Sequence, residues 1–182
     1  MLATLAEAPL VDAALVYEPK YDGIRAVADV DAGGRSVHLW SRLGNEKTSQ
    51  FPEIVAALAA WAKRRREPVV LDGEIVALDG SGDPIGFQNL QGRIHLGGQE
   101  SRGHRRDDPP ASAPTALIAF DLLREGRTDY RDRPLLERRA ELERLFARTG
   151  SPMLRISEMV RGDGRRSPGS GFERLRPWRS TG

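Results

Sequence analysis

Residues 15–30 read Leu15-Val16-Tyr17-Glu18-Pro19-Lys20-Tyr21-Asp22-Gly23-Ile24-Arg25-Ala26-Val27-Ala28-Asp29-Val30, and this stretch decides the fold. Residues 15–20 read as a strand. Strand side chains alternate, so Val16, Glu18 and Lys20 share one face. Gly23 marks a turn. Beyond it Ile24, Ala26, Ala28 and Val30 alternate with Arg25, Val27 and Asp29, the period of a second strand. The turn also concentrates chemistry: a lysine, an acid, a glycine and an arginine fall within residues 20–25. A protonated lysine is a poor nucleophile, but burial or neighbouring cations release its amine near neutral pH. Gly23 lets the backbone approach a ligand closely, and Arg25 can reach a phosphate or a ribose.

The flanking sequence extends the pattern. Asp31-Ala32-Gly33-Gly34 is a hairpin-type turn, and residues 36–40 return as a third strand. Phe51, Ile54, Val55, Leu58 and Ala62 recur at helical spacing and predict an amphipathic helix over 51–64. Thr48 or Ser49 is its expected cap, Pro52 fits its first turn, and Lys63-Arg64-Arg65-Arg66 complements the dipole at its end. Residues 68–72 and 74–79 read as two strands, followed by a turn at 79–84 and a short helix near 87–94. Asp72 and Glu74 share a face if this region is extended. Residues 97–114, rich in Gly, Arg, Asp and Pro, read as an exposed loop. A buried strand at 115–120, a helix over 134–147 and a strand beginning at 152–156 complete the pattern. Hairpin-linked strands with interspersed helices predict an α+β fold rather than βαβ alternation.

Composition sets limits. A chain of 182 residues, 39% hydrophobic and 30% charged, describes one globular domain, or one domain with an appendage. No apolar run reaches membrane-spanning length, which predicts no membrane contact. The absence of cysteine excludes disulfides and thiolate metal sites and suits a cytoplasmic protein. A net charge of +2 does not by itself imply a whole-protein field that attracts DNA. The only lysines are Lys20, Lys47 and Lys63. His38, His95 and His104 lack ligand-like spacing, so no histidine metal site is expected.

Four motifs in order carry a family resemblance: Lys20-Tyr21-Asp22-Gly23-Ile24-Arg25, Ser41-Arg42-Leu43-Gly44-Asn45, Leu71-Asp72-Gly73-Glu74-Ile75-Val76 and Ala119-Phe120-Asp121-Leu122-Leu123. Together they resemble the covalent nucleotidyltransferases, and among these the adenylation domain of bacterial ATP-dependent DNA ligases of the end-joining type. Glu18-Pro19-Lys20, Phe51-Pro52-Glu53-Ile54 and Pro134-Leu135-Leu136-Glu137-Arg138-Arg139 also resemble that group. The resemblance covers about residues 1–160. It implies a mainly antiparallel sheet core flanked by helices, with ATP and Mg²⁺ as cofactors. It implies that Lys20 is the catalytic nucleophile that accepts AMP, and that Glu18, Arg25, Arg42, Glu74 and Phe120 bind the nucleotide. Phe120 would stack on adenine, and Glu74 would contact the ribose or the metal. The substrate implied is nicked or broken double-stranded DNA, sealed in repair or recombination by a monomer alongside end-joining proteins.

The resemblance fades after Ile156-Ser157-Glu158. The family's late lysine motifs and its OB-fold domain are not recognisable, and the composition of residues 161–182 predicts a disordered tail. The expectation is therefore an incomplete adenylation domain, impaired by truncation. The alternatives are an RNA ligase or other nucleotidyltransferase, and a non-catalytic nucleotide- or DNA-binding remnant.

Overall fold

A computed structural model describes residues 15–94, 113–161 and 175–178. The chain divides into two compact units, one formed by residues 22–156 and one by residues 1–21 with 157–182.

The larger unit is a twisted sheet with helices on its apolar face. In chain order its elements are β2 (Ile24–Val30), β3 (Val37–Ser41), α1 (Pro52–Ala62), β4 (Val69–Leu78), β5 (Pro84–Ile85), α2 (Gln91–Ile94), β6 (Thr115–Glu125), β7 (Thr128–Asp129), α3 (Leu135–Phe146) and β8 (Leu154–Ile156). The smaller unit contributes β1 (Val16–Pro19), β9 (Val160–Arg161) and β10 (Leu175–Trp178). The main sheet runs β3-β2-β4-β6-β7, with β5 beside β4 and β8 beside β6. Every pairing in it is antiparallel except β6 with β8. The expected α+β class is therefore the observed one.

Alternation along the first hairpin works as the sequence implies. Ala26, Ala28 and Val30 point into the core, while Arg25, Val27 and Asp29 face the other side. The core joins them to Leu39, Leu71, Ile75, Leu117, Ala119 and Leu122 from the sheet, to Ile54 and Leu58 of α1, and to Leu142 and Leu145 of α3. Each fully buried leucine, isoleucine or valine among them contributes roughly 1.5–3 kcal/mol through the hydrophobic effect, and each alanine less.

Several local expectations change. The two strands expected within 68–79 are one strand, Val69–Leu78, because the ladders to β2 and β6 run through Gly73 without a break in the strand. A Cβ at Gly73 would lie 2.7 Å from the carbonyl oxygen of Ile118, so close packing selects the glycine rather than a turn. Residues 115–120 are the first half of a strand that continues to Glu125. α1 has no side-chain cap. Thr48 lies in a 3-10 turn, and its Oγ1 accepts the Leu39 amide at 3.0 Å instead. Arg65, just past the end of α1, also links that helix to α3. It stacks 3.9 Å from the centre of the Trp61 ring and donates to the carbonyl of Leu145 in the last turn of α3.

In the smaller unit β1 lies between β10 and β9, both antiparallel to it. Leu175–Trp178 thus forms a strand inside the stretch whose composition predicts disorder. Among the described residues β10 is an edge strand, the position in a sheet where a proline such as Pro177 is accommodated. Most of the loop expected at 97–114 lies outside the described residues.

Candidate nucleotide-binding site

The polar face of the main sheet carries the motif residues. Gly23 enters it first. A Cβ there would sit 2.1 Å from the carbonyl oxygen of Ile75, so the backbone of the lysine motif passes directly against β4. The close approach expected between this glycine and a ligand is, in the structure, an approach to a neighbouring strand. It fixes where β2 begins, and with it the position of Arg25. Asp22, one residue earlier, accepts the Phe87 amide through Oδ2 at 3.3 Å.

Arg25 lies opposite Glu74 in the β2–β4 register, and Val27 lies opposite Asp72. The Arg25 guanidinium reaches diagonally to Asp72. Its Nε donates to Oδ1 at 3.0 Å and its Nη2 to Oδ2 at 2.5 Å, a fork matched to a carboxylate. Asp72 is buried, and this pair gives it a structural role of its own. The same guanidinium lies 5.7 Å from the centre of the Phe120 ring. Arg25 is thus held in place by an acid beneath it and an aromatic face beside it.

Phe120 owes its position to an irregularity. Asp72 pairs with Asp121 and Gly73 pairs with Ala119, so Phe120 is the extra residue of a β-bulge. A bulge bends the strand and re-aims a side chain. Phe120 keeps part of its surface in solvent, unlike its fully buried neighbour Ala119. The ring is therefore presented on the polar face rather than spent in the core.

Glu74 accepts a hydrogen bond from the Gly23 amide. Burial pushes its carboxyl up to about 7; the Gly23 N–H and the Arg25 charge oppose that rise, while Asp72 and Asp22 add to it. Near neutral pH this acid is balanced between its two protonation states.

Sequence reasoning missed the partner of the second acid in the bulge. Asp121 receives Arg138 of α3 in another fork, Nε to Oδ1 at 2.8 Å and Nη2 to Oδ2 at 3.1 Å. Both residues are buried. The signal was present: Leu135, Arg138, Leu142 and Leu145 form one helical stripe, so Arg138 occupies a core position. A charge there requires a buried counter-charge.

Of the remaining expected residues, Arg42 is exposed on the turn after β3. Ser41 pairs with Ala26, so this turn leaves the sheet at the end where Arg25 lies. Lys20 and Glu18 belong to the smaller unit. β1 ends at Pro19, so Lys20 lies just past the strand, and it is exposed rather than desolvated by burial. Glu18 accepts a hydrogen bond from the Ser157 hydroxyl at 3.0 Å. The structure thus brings Arg25, Glu74 and Phe120 together across β2, β4 and β6, and it places Lys20 and Glu18 in the other unit. Among the described residues no group of three His, Asp or Glu side chains is arranged to hold a metal ion. His38 bonds to Ser36 and Glu46, and His95 and His104 lie outside the described residues.

Comparison with known proteins places the chain in a family. The model of the ATP dependent DNA ligase domain matches residues 1–164, and the chain belongs to that family. DNA ligase C of Mycobacterium tuberculosis is 44% identical over 135 residues, covering 74% of this chain and 34% of that protein. A probable DNA ligase of Streptomyces griseus is 38% identical over 131 residues, covering 71% of this chain and 23% of that protein. The crystallised ligase domain of M. tuberculosis LigD superposes with a TM-score of 0.67 at 30% identity, covering 90% of this chain and 46% of the other. A mycobacterial DNA ligase D complexed with ATP and MES gives a TM-score of 0.65, also at 30% identity, with the same two coverages. The chain spans about a third or less of the length of these curated relatives.

Proposed function

We propose that this chain binds ATP and transfers AMP to its own Lys20, as the adenylation part of a DNA-sealing ligase. The observation that carries the reading is the Arg25–Phe120 platform, an arginine forked onto a buried acid beside a bulged aromatic ring. An aromatic face takes a nucleobase by stacking, and a fixed guanidinium takes a phosphate or ribose oxygen. The ATP-bound relative supports the choice of nucleotide.

In this reading the Lys20 amine attacks the α-phosphorus. An N–P bond forms, the bond to the pyrophosphate oxygen breaks, and the amine gives up its proton. Phe120 stacks on the adenine, Glu18 recognises its edge, and Arg25 and Arg42 neutralise phosphate charge. Phosphoryl transfer depends mainly on such positioning and charge neutralisation. Glu74 would serve the ribose or the metal. Its single carboxylate fits a Mg²⁺ held mostly by nucleotide oxygens, since Mg²⁺ commonly takes one or two carboxylates beside substrate phosphates. When bound, the ion would neutralise charge on the phosphates. The AMP would then pass to a 5′-phosphate of nicked or broken DNA, in repair or recombination in the cytoplasm. The named relatives are DNA ligases, which favours DNA over RNA as the polynucleotide.

The test is incubation with α-labelled ATP and Mg²⁺, followed by denaturing electrophoresis and mass mapping. Label is expected on the wild-type chain at Lys20 and absent from Lys20→Ala. Label on Lys47 or Lys63, or label kept by the variant, refutes the assignment. No label on the wild-type chain favours a non-catalytic binding remnant.

A further inference from the structure

The motif Pro134-Leu135-Leu136-Glu137-Arg138-Arg139 has no part in the reading above, yet it delivers a buried cation to the bulge that presents Phe120. Asp72 and Asp121 are direct cross-strand partners in β4 and β6, and both are buried. Two like charges placed opposite each other in a sheet repel. Each is balanced from a different side: Arg25 of β2 forks onto Asp72, and Arg138 of α3 forks onto Asp121. The result is a row of four charges across the sheet, in the order cation, acid, acid, cation.

We propose that Arg138 is a positioning residue for the nucleotide platform: by neutralising Asp121 it keeps Arg25 on Asp72 and holds the bulge that presents Phe120. Three observations converge on it. Arg138 also donates through Nη1 to the carbonyl of Arg133, at 2.5 Å, so three hydrogen bonds to two partners fix its head. Asp121 is adjacent in sequence to Phe120, and the register shift falls between Asp72 and Gly73, the β4 partners of Asp121 and Ala119. The groups that face Asp121 are Asp72 from β4, Arg138 from α3 and the Leu122 amide of its own strand; Arg25 of β2 lies beyond Asp72. Without Arg138 the only cation left in the row is Arg25, which two acids would then share. The guanidinium would leave the geometry that serves Phe120.

The inference rests on the proposed nucleotide-binding role of Arg25 and Phe120, and its test separates the two. ATP affinity is measured with Mg²⁺ present for wild type, Arg138→Met and the double variant Asp121→Asn with Arg138→Met. Arg138→Met is expected to weaken ATP binding about tenfold, in the range by which remote residues modulate a site. Asp121→Asn removes the stranded charge and should restore most of that loss. A loss within twofold, or a loss that Asp121→Asn does not repair, overturns the proposal; the second result would show that Arg138 only packs α3. If Arg138→Met does not fold, Arg138→Gln takes its place, with the same repair expected. If wild type binds no ATP, the functional reading fails on its own. The coupling is then read from urea unfolding of Arg25→Met, Arg138→Met and their combination. Effects on the unfolding constant that depart from multiplicative by more than about threefold support the row, and multiplicative effects overturn it.

Discussion

Replacing Glu74 by Gln should change how stability depends on pH, by an amount the site predicts. Burial holds this carboxyl at about 7 in the folded chain, against an ordinary value of 4.5. The difference of about 2.5 units corresponds to about 3 kcal/mol, at 1.36 kcal/mol per unit. The sign follows from proton binding. Between these two values the folded chain holds more protons on Glu74 than the unfolded chain does. Stability from this group is therefore fully present below about pH 4.5 and declines as pH rises through about 7. Glutamine imitates the protonated acid, with an oxygen to accept the Gly23 amide and no charge to desolvate. The variant should match wild type near pH 4.5 and exceed it by up to about 3 kcal/mol at pH 8. Urea unfolding at half-unit pH steps, without nucleotide and with EDTA present, measures this as a difference in midpoint at constant slope. Other carboxylates titrate in both proteins and cancel in the difference. A difference that stays within 0.5 kcal/mol from pH 4.5 to 8 would refute the reasoning. A difference of opposite sign would show that Arg25 outweighs burial in setting the state of this acid.

Gly23→Ala should cost about 1–3 kcal/mol, because a Cβ would lie 2.1 Å from the Ile75 carbonyl oxygen and β2 must shift away from β4. Urea unfolding checks the cost, and a neutral substitution would contradict the close approach. ATP should raise the melting temperature more than GTP at equal concentration, through preferential binding of the folded state, and Phe120→Leu should shrink the ATP shift. Equal shifts with both nucleotides would count against adenine recognition. Binding of a nicked duplex should weaken with salt, and Arg42→Met should lower the log–log slope by about 1, the share of one phosphate contact. An unchanged slope would show that Arg42 makes no contact with a DNA phosphate.

Much of this protein was legible in its sequence. Two-residue periodicity located β2 and β3, and helical periodicity located α1 and α3, because burial of one face repeats with the geometry of the element. The four ordered motifs named the family, since chemistry at a phosphate requires particular side chains at particular spacings. The sequence also placed a charge, Arg138, within an apolar stripe, which signals a buried partner without saying which acid it is.

Only the tertiary structure decided the rest. Asp72-Gly73 reads as a break in sequence because glycine usually interrupts a strand. Here it continues β4, paired on both sides, and β6 leaves no room for a Cβ. The bulge that turns Phe120 onto the polar face depends on the register between β4 and β6, where Asp72 meets Asp121 and Gly73 meets Ala119 far along the chain, and it leaves no local trace. The state of Glu74 depends on burial and on charges from β2 and β4 together. Local pattern reports which side of an element avoids water. Register, close backbone approach and the pairing of buried charges are properties of segments that meet only when the chain has folded.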